Sequence, residues 1–173
     1  MESTPFRAYI PSVENMEAPP MKTAAKSPRP ALKRRSDKQG RAAASGGCLC
    51  GAVRYKVRGK LRGVVNCHCG QCRRWHGHVG AYTNAALADF SLAGGRHLKW
   101  YRSSKFARRG FCAKCGSSLF WQRVGADSIG IAAGGMDEPT RLKSVRNIFV
   151  AHRGDYYRIT DRLQRSPGTM TTS

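Results

Sequence analysis

Hydrophobic positions along this chain come in short alternating runs, not in long helical stripes. Ala52-Val53-Arg54-Tyr55-Lys56-Val57 alternates apolar with basic, the period of a strand with one face buried and one in water. Gly59 and Gly63 punctuate, and Val64-Val65-Asn66-Cys67 reads as a second strand. Further strands are predicted over 79–83, 90–92, 98–101, 107–112, 118–122, 128–133 and 145–151, with one short helical turn over 71–76. Glycine-rich turns separate them, and no amphipathic helix of ordinary length or internal repeat is present. Many short strands of this kind predict an all-β domain.

The folded part is expected over 46–165. Residues 1–45 carry Pro19-Pro20, Pro28, Pro30 and the basic Lys33-Arg34-Arg35, with little to bury, and read as a disordered basic extension. Residues 166–173 read as a flexible polar tail. No apolar run approaches the roughly 18 residues of a membrane span. No membrane partner and a cytoplasmic location are therefore expected.

Charge adds a partner class. The formal charge is +21, and +16 of it lies from Gly47 onward. Such a surface attracts anions, whether nucleic acid, lipid or small acidic metabolites. One reading is a zinc-stabilised basic module that binds nucleic acid or another polyanion without catalysis. Against it, no basic run is interleaved with exposed aromatics. Paired carboxylates and a serine–histidine–acid arrangement are also missing, which removes the common acid–base and serine-hydrolase chemistries.

Seven cysteines fall into three clusters: Cys48/Cys50, Cys67/Cys69/Cys72 and Cys112/Cys115. An odd count in such tight spacing suits metal ligands in a reducing compartment better than disulfides. The seven divide as four plus three. Cys48, Cys50, Cys112 and Cys115 can close a structural zinc site, with Gly51 and Gly116 giving each pair a permissive turn. Cys67, Cys69 and Cys72 wrap one face of a second metal and leave a position for water, a histidine or an incoming ligand. His76 or His78 would close it, while His68 is too constrained by its neighbours to ligate the same metal. A three-thiolate zinc is a poor activator of water but holds a fourth thiol as thiolate. Trp75 and Trp121 read as core aromatics.

Gly46 to Tyr55, Cys67 to Gly77 and Arg109 to Trp121 together resemble the glutathione-dependent formaldehyde-activating enzyme family, which shares a domain with centromere protein V. The resemblance implies a β-tent of small twisted antiparallel sheets organised around two zinc ions per chain. It implies a structural zinc on Cys48, Cys50, Cys112 and Cys115, and a second on Cys67, Cys69 and Cys72 that is open to the thiol of glutathione. The implied chemistry joins glutathione and the small aldehyde formaldehyde into S-hydroxymethylglutathione, a carbon–sulfur lyase reaction in reverse. Arg73 and Arg74, next to the open cluster, are the candidate contacts for glutathione carboxylates, and His68 or His76 the candidate proton donors. Asn147 stands where the family pattern has a histidine.

Overall fold

In a computed structural model of the chain, residues 44–169 are described. Lys33-Arg34-Arg35, the rest of the expected extension before residue 44 and the last four residues lie outside the described residues.

Eleven strands, one α-helix and four short 3-10 turns make up the regular structure of the described part. The first sheet has three antiparallel strands, β1 (Ala44–Gly47), β2 (Arg54–Val57) and β5 (Phe90–Ala93), in the order β1-β2-β5. The second contains β3 (Val64–Cys67), β4 (Gly80–Ala86), β6 (Leu98–Arg102), β7 (Ala107–Cys112), β8 (Ser118–Arg123), β9 (Ser128–Ala132), β10 (Ser144–Ile148) and β11 (Gln164–Ser166). Its order is β11-β10-β3-β4-β9-β8-β7-β6. Helix α1 (Gly70–His76) follows β3 directly.

The alternation read from the sequence becomes the packing. Tyr55 and Val57 of β2 point inward while Arg54 and Lys56 stay exposed. The inward residues meet Leu119, Phe120, Ile129 and Ile131 from the larger sheet. Tyr55 lies edge-on to Phe120 at 5.4 Å between centroids and stacks on Phe90 at 5.9 Å. Offset and edge-on pairs of this kind add to the area they bury. A clasp reinforces the seam. The Asp137 amide donates to the Ser45 carbonyl at 2.9 Å, and Asp137 also receives the Ser45 hydroxyl and pairs with Arg54.

Three differences from the sequence reading have physical causes. The larger sheet is mixed, because β10 runs parallel to both β3 and β11. The last long strand stops at Ile148, because Phe149 turns to φ 55. The fold also reaches past residue 165. Ser166 is buried in β11, and the Phe149 amide donates to the Gly168 carbonyl at 2.8 Å.

Candidate metal centres

The first sulfur group joins two distant turns. Cys48 and Cys50 lie between β1 and β2, Cys112 ends β7, and Cys115 lies in the turn to β8. All four sulfurs fall within 4.8 Å of one another. Cys48 Sγ is 3.5 Å from Cys50 Sγ, which is 3.8 Å from Cys112 Sγ. Gly51 and Gly116 take φ 73 and 74, the left-handed turn that a side chain would strain. The turns also aim polar hydrogens at sulfur. The Val53 amide donates to Cys48 Sγ at 3.2 Å, and the Ser117 hydroxyl sits 3.2 Å from Cys115 Sγ. The Ser117 hydroxyl, followed by the Ser117 and Cys50 amides, holds the Cys115 thiol down to about 5.

The second group is local. Cys67 ends β3, Cys69 is the N-cap of α1 and Cys72 lies in its first turn. The Cys72 amide donates to Cys69 Sγ at 3.3 Å, so one sulfur caps the helix that carries the next. These three sulfurs also lie within 4.8 Å of one another. Crowding splits their acidities. The Cys67 thiol, then the Cys72 thiol, holds Cys69 down to about 2, while Cys69 pushes Cys67 far above the ordinary thiol range. Three thiolates share this space only when a cation joins them. Both groups could hold a metal ion, and an all-sulfur donor set suits zinc.

Neither downstream histidine joins the three sulfurs. His76 Nε2 is engaged by the Tyr82 hydroxyl at 2.8 Å, and burial followed by the Arg109 charge holds this imidazole down to about 4. His78 Nδ1 faces the Tyr156 hydroxyl at 3.1 Å in an exposed position. His68 is buried with Nδ1 2.7 Å from the Tyr157 hydroxyl and Nε2 2.9 Å from Asn147 Oδ1. Asn147 in turn donates to Asp161 Oδ1 at 2.8 Å. Since Asn147 Oδ1 can only accept, His68 donates to it from Nε2, and Nδ1 shares a hydrogen bond with the Tyr157 hydroxyl. Asn147 therefore partners a buried histidine.

Cys67, Cys69 and Cys72 line a cavity of about 640 Å³, and none of the other four cysteines does. Arg62, Arg109 and Arg123 share its wall with Tyr82, Phe106, Trp121 and Phe149. No carboxylate lies among its described lining residues. A shallow groove of about 320 Å³ near Lys60 adjoins it, sharing Arg62 and Asn84, and carries no cysteine, histidine or carboxylate.

Several placements depart from the sequence reading. Arg73 and Arg74 ride on α1 but do not line the cavity, because the wall facing the sulfurs is built by strands β4, β7 and β8 and the residues that flank them. Trp121 lines the cavity instead of closing the core, while Trp75 anchors α1 by donating to the Ser118 hydroxyl at 2.6 Å. His68 does not line the cavity, and His76 meets it only through Tyr82. The sequence reading missed Arg62, Arg109, Arg123, Tyr82 and Phe149. Arg109 alone stood inside a recognised motif. The others are distant in sequence, and only strand pairing gathers them.

Among the described residues, no helix is long and apolar enough to cross a membrane. A Schizosaccharomyces pombe protein named as an uncharacterized lyase is 32% identical over 76 residues, covering 44% of this chain and 55% of that one. This chain thus spans about half the length of that curated relative. The crystal structure of a Rhodobacter sphaeroides protein aligns with a TM-score of 0.47 and 27% identity, covering 54% of this chain and 88% of that one. Residues 43–152 match the family described as glutathione-dependent formaldehyde-activating enzyme, a span that contains all seven cysteines. With that match over most of the folded region, the chain belongs to the glutathione-dependent formaldehyde-activating enzyme family.

Proposed function

We propose that this protein is a zinc-dependent carbon–sulfur lyase-type protein of the cytoplasm, with a closed zinc on Cys48, Cys50, Cys112 and Cys115 and an open one on Cys67, Cys69 and Cys72. It takes glutathione at the open site and forms or carries S-hydroxymethylglutathione from formaldehyde. One observation carries this reading: the three-sulfur group, and none of the other four cysteines, lines the cavity of about 640 Å³, and that cavity holds three arginines and no carboxylate among its described residues.

Zinc at the three cysteines would supply an open position where a thiol is held as thiolate. The protein does the rest. Arg62 and Arg123 offer guanidinium groups to the two carboxylates of glutathione. Phe106, Trp121 and Phe149 give the cavity an apolar wall that limits water around the sulfur. In the addition, a sulfur lone pair forms the bond to the carbonyl carbon and the carbonyl π pair moves to oxygen. That oxygen then takes up a proton, replacing the one the thiol gave up. Tyr82, held protonated chiefly by burial and backed by His76, is a proton-bearing residue on the wall.

The test begins with zinc loading and a metal count per chain. Glutathione is then titrated while a cobalt substitute reports the environment of the three-sulfur site. Two metals, one of which changes its spectrum with glutathione, support the reading. Two metals indifferent to glutathione overturn it. Exchange between free glutathione and its formaldehyde adduct, followed with and without protein, separates enzyme from carrier: acceleration identifies catalysis and unchanged exchange identifies carriage.

A further inference from the structure

Arg109 is only 2% exposed, although a guanidinium keeps its charge at any ordinary pH. It sits in β7 between Tyr101 of β6 and Trp121 of β8. Its Nη2 donates to Gln71 Oε1 at 2.9 Å and lies 3.7 Å from Cys72 Sγ. Gln71 is itself fixed, since its Nε2 donates to the Ser103 carbonyl at 2.8 Å. The Trp75 ring stands 5.9 Å from the guanidinium carbon. Nε and Nη1 are buried without a hydrogen-bond partner among the described residues, and no described carboxylate forms an ion pair with Arg109.

A buried cation with no counter-charge is strongly unfavourable. The nearest available negative charge is sulfur. Three thiolates around a divalent cation leave one net negative charge, and an incoming thiolate leaves two. Burying that charge beside a cavity calls for a fixed cation of the kind Arg109 supplies, held against Cys72 by Gln71.

We infer that Arg109 is a positioning residue whose buried charge makes the three-cysteine site prefer an anionic ligand over a neutral one. It acts through Cys72, because its unpaired nitrogens are buried away from solvent. The inference rests on the functional reading above, in which the site binds metal and accepts a thiol.

The experiment uses the full chain loaded with cobalt, as wild type, Arg109→Met and Arg109→Lys. Two probes are titrated: glutathione, which binds as a thiolate, and imidazole, which binds neutral. Arg109→Met is expected to keep both metals and its imidazole affinity while losing roughly ten- to a hundredfold in glutathione affinity, the scale of a hydrogen bond to a charged group. Arg109→Lys recovers part of that loss. If Arg109→Met takes up glutathione as the wild type does, the inference is overturned. Equal loss of both ligands, or loss of the metal, shows a merely structural arginine and also overturns it. Should the methionine variant fail to fold, Gln71→Leu releases Nη2 while keeping the charge. It is expected to shift the glutathione-to-imidazole ratio in the same direction by less, and an unchanged ratio overturns the inference. A wild type that takes no thiol defeats the functional reading itself, whereas a wild type that takes thiol beside an indifferent Arg109→Met defeats only the role of Arg109.

Discussion

The two sulfur groups use the same element in opposite ways. Cys48, Cys50, Cys112 and Cys115 come from turns some sixty residues apart, and joining them ties the small sheet to the β7–β8 hairpin. Cys67, Cys69 and Cys72 come from a single strand-to-helix corner and tie little together. The first group has four sulfurs and stands outside the cavity; the second has three and opens onto it. A crosslink that restricts distant segments stabilises a fold more than one that closes a short loop. The long-range group is therefore suited to holding the structure, and the local one is free to exchange a ligand.

The sharpest way to break this comparison is to remove one sulfur from each. Cys112→Ser is expected to cost several kcal/mol or more and to abolish cooperative thermal unfolding, since metal binding at a structural site is folding free energy. Cys69→Ser is expected to lose one metal and all thiol binding while the melting temperature moves by only a few degrees. Metal counts and melting curves on both variants check this, and equal destabilisation would erase the distinction.

A gentler probe pushes on one site alone. A Cβ at Gly80 would stand 3.1 Å from Cys72 Sγ and 3.1 Å from His76 Cδ2, tighter than ordinary contact. Gly80→Ala should cost about 1–2 kcal/mol through overpacking. It should weaken metal retention at the three-cysteine site before the four-cysteine site, which a chelator competition would resolve as two separated release steps.

Arg123→Ala removes one cavity guanidinium and is expected to leave metal content as in the wild type. Glutathione affinity is expected to fall by about fivefold, with a weaker dependence on salt, as for a partly solvated charge contact. Titration at low and high ionic strength measures both. A polyanion-binding module would behave differently, losing nucleic-acid affinity steeply as salt rises.

The smallest effect concerns the clasp between the sheets. Arg54, followed by the Ser45 hydroxyl, holds the Asp137 carboxyl below its usual range. A depressed carboxylate contributes stability above its unfolded value near 3.8, and this is lost as pH falls through the lower folded value. Asp137→Asn should cost less than about 1 kcal/mol at pH 7, because the pair is exposed to solvent. The gap from wild type should close below pH 4, as read by denaturant melts at both pH values.

Much of this molecule follows from local pattern. The alternation in Arg54–Val57 set which side chains of β2 face inward, and the spacing of the cysteines marked the three clusters that the folded chain gathers into two groups. Local rules suffice there because period-two side-chain direction and short ligand spacings are properties of the backbone itself. They fail where the answer depends on what lies opposite. Arg109 and Trp121 pair across β7 and β8, Ile148 comes beside Cys67 only because β10 runs parallel to β3, and Phe149 turns at φ 55 to reach the cavity. Arg73 and Arg74 show the same limit, being adjacent to the three cysteines in sequence and outside the cavity in space.

By itself, the sequence determined the strand-rich class, the cysteine clusters and the family. Only the tertiary structure decided which set faces a cavity, which histidines are already engaged, and which arginine stands buried beside Cys72. The reason is physical. Cysteine clusters and strand faces are written in intervals of a few residues, whereas the joining of two distant clusters, a cavity wall and the counter-charge of a site are sums over segments that meet only after the sheets have paired.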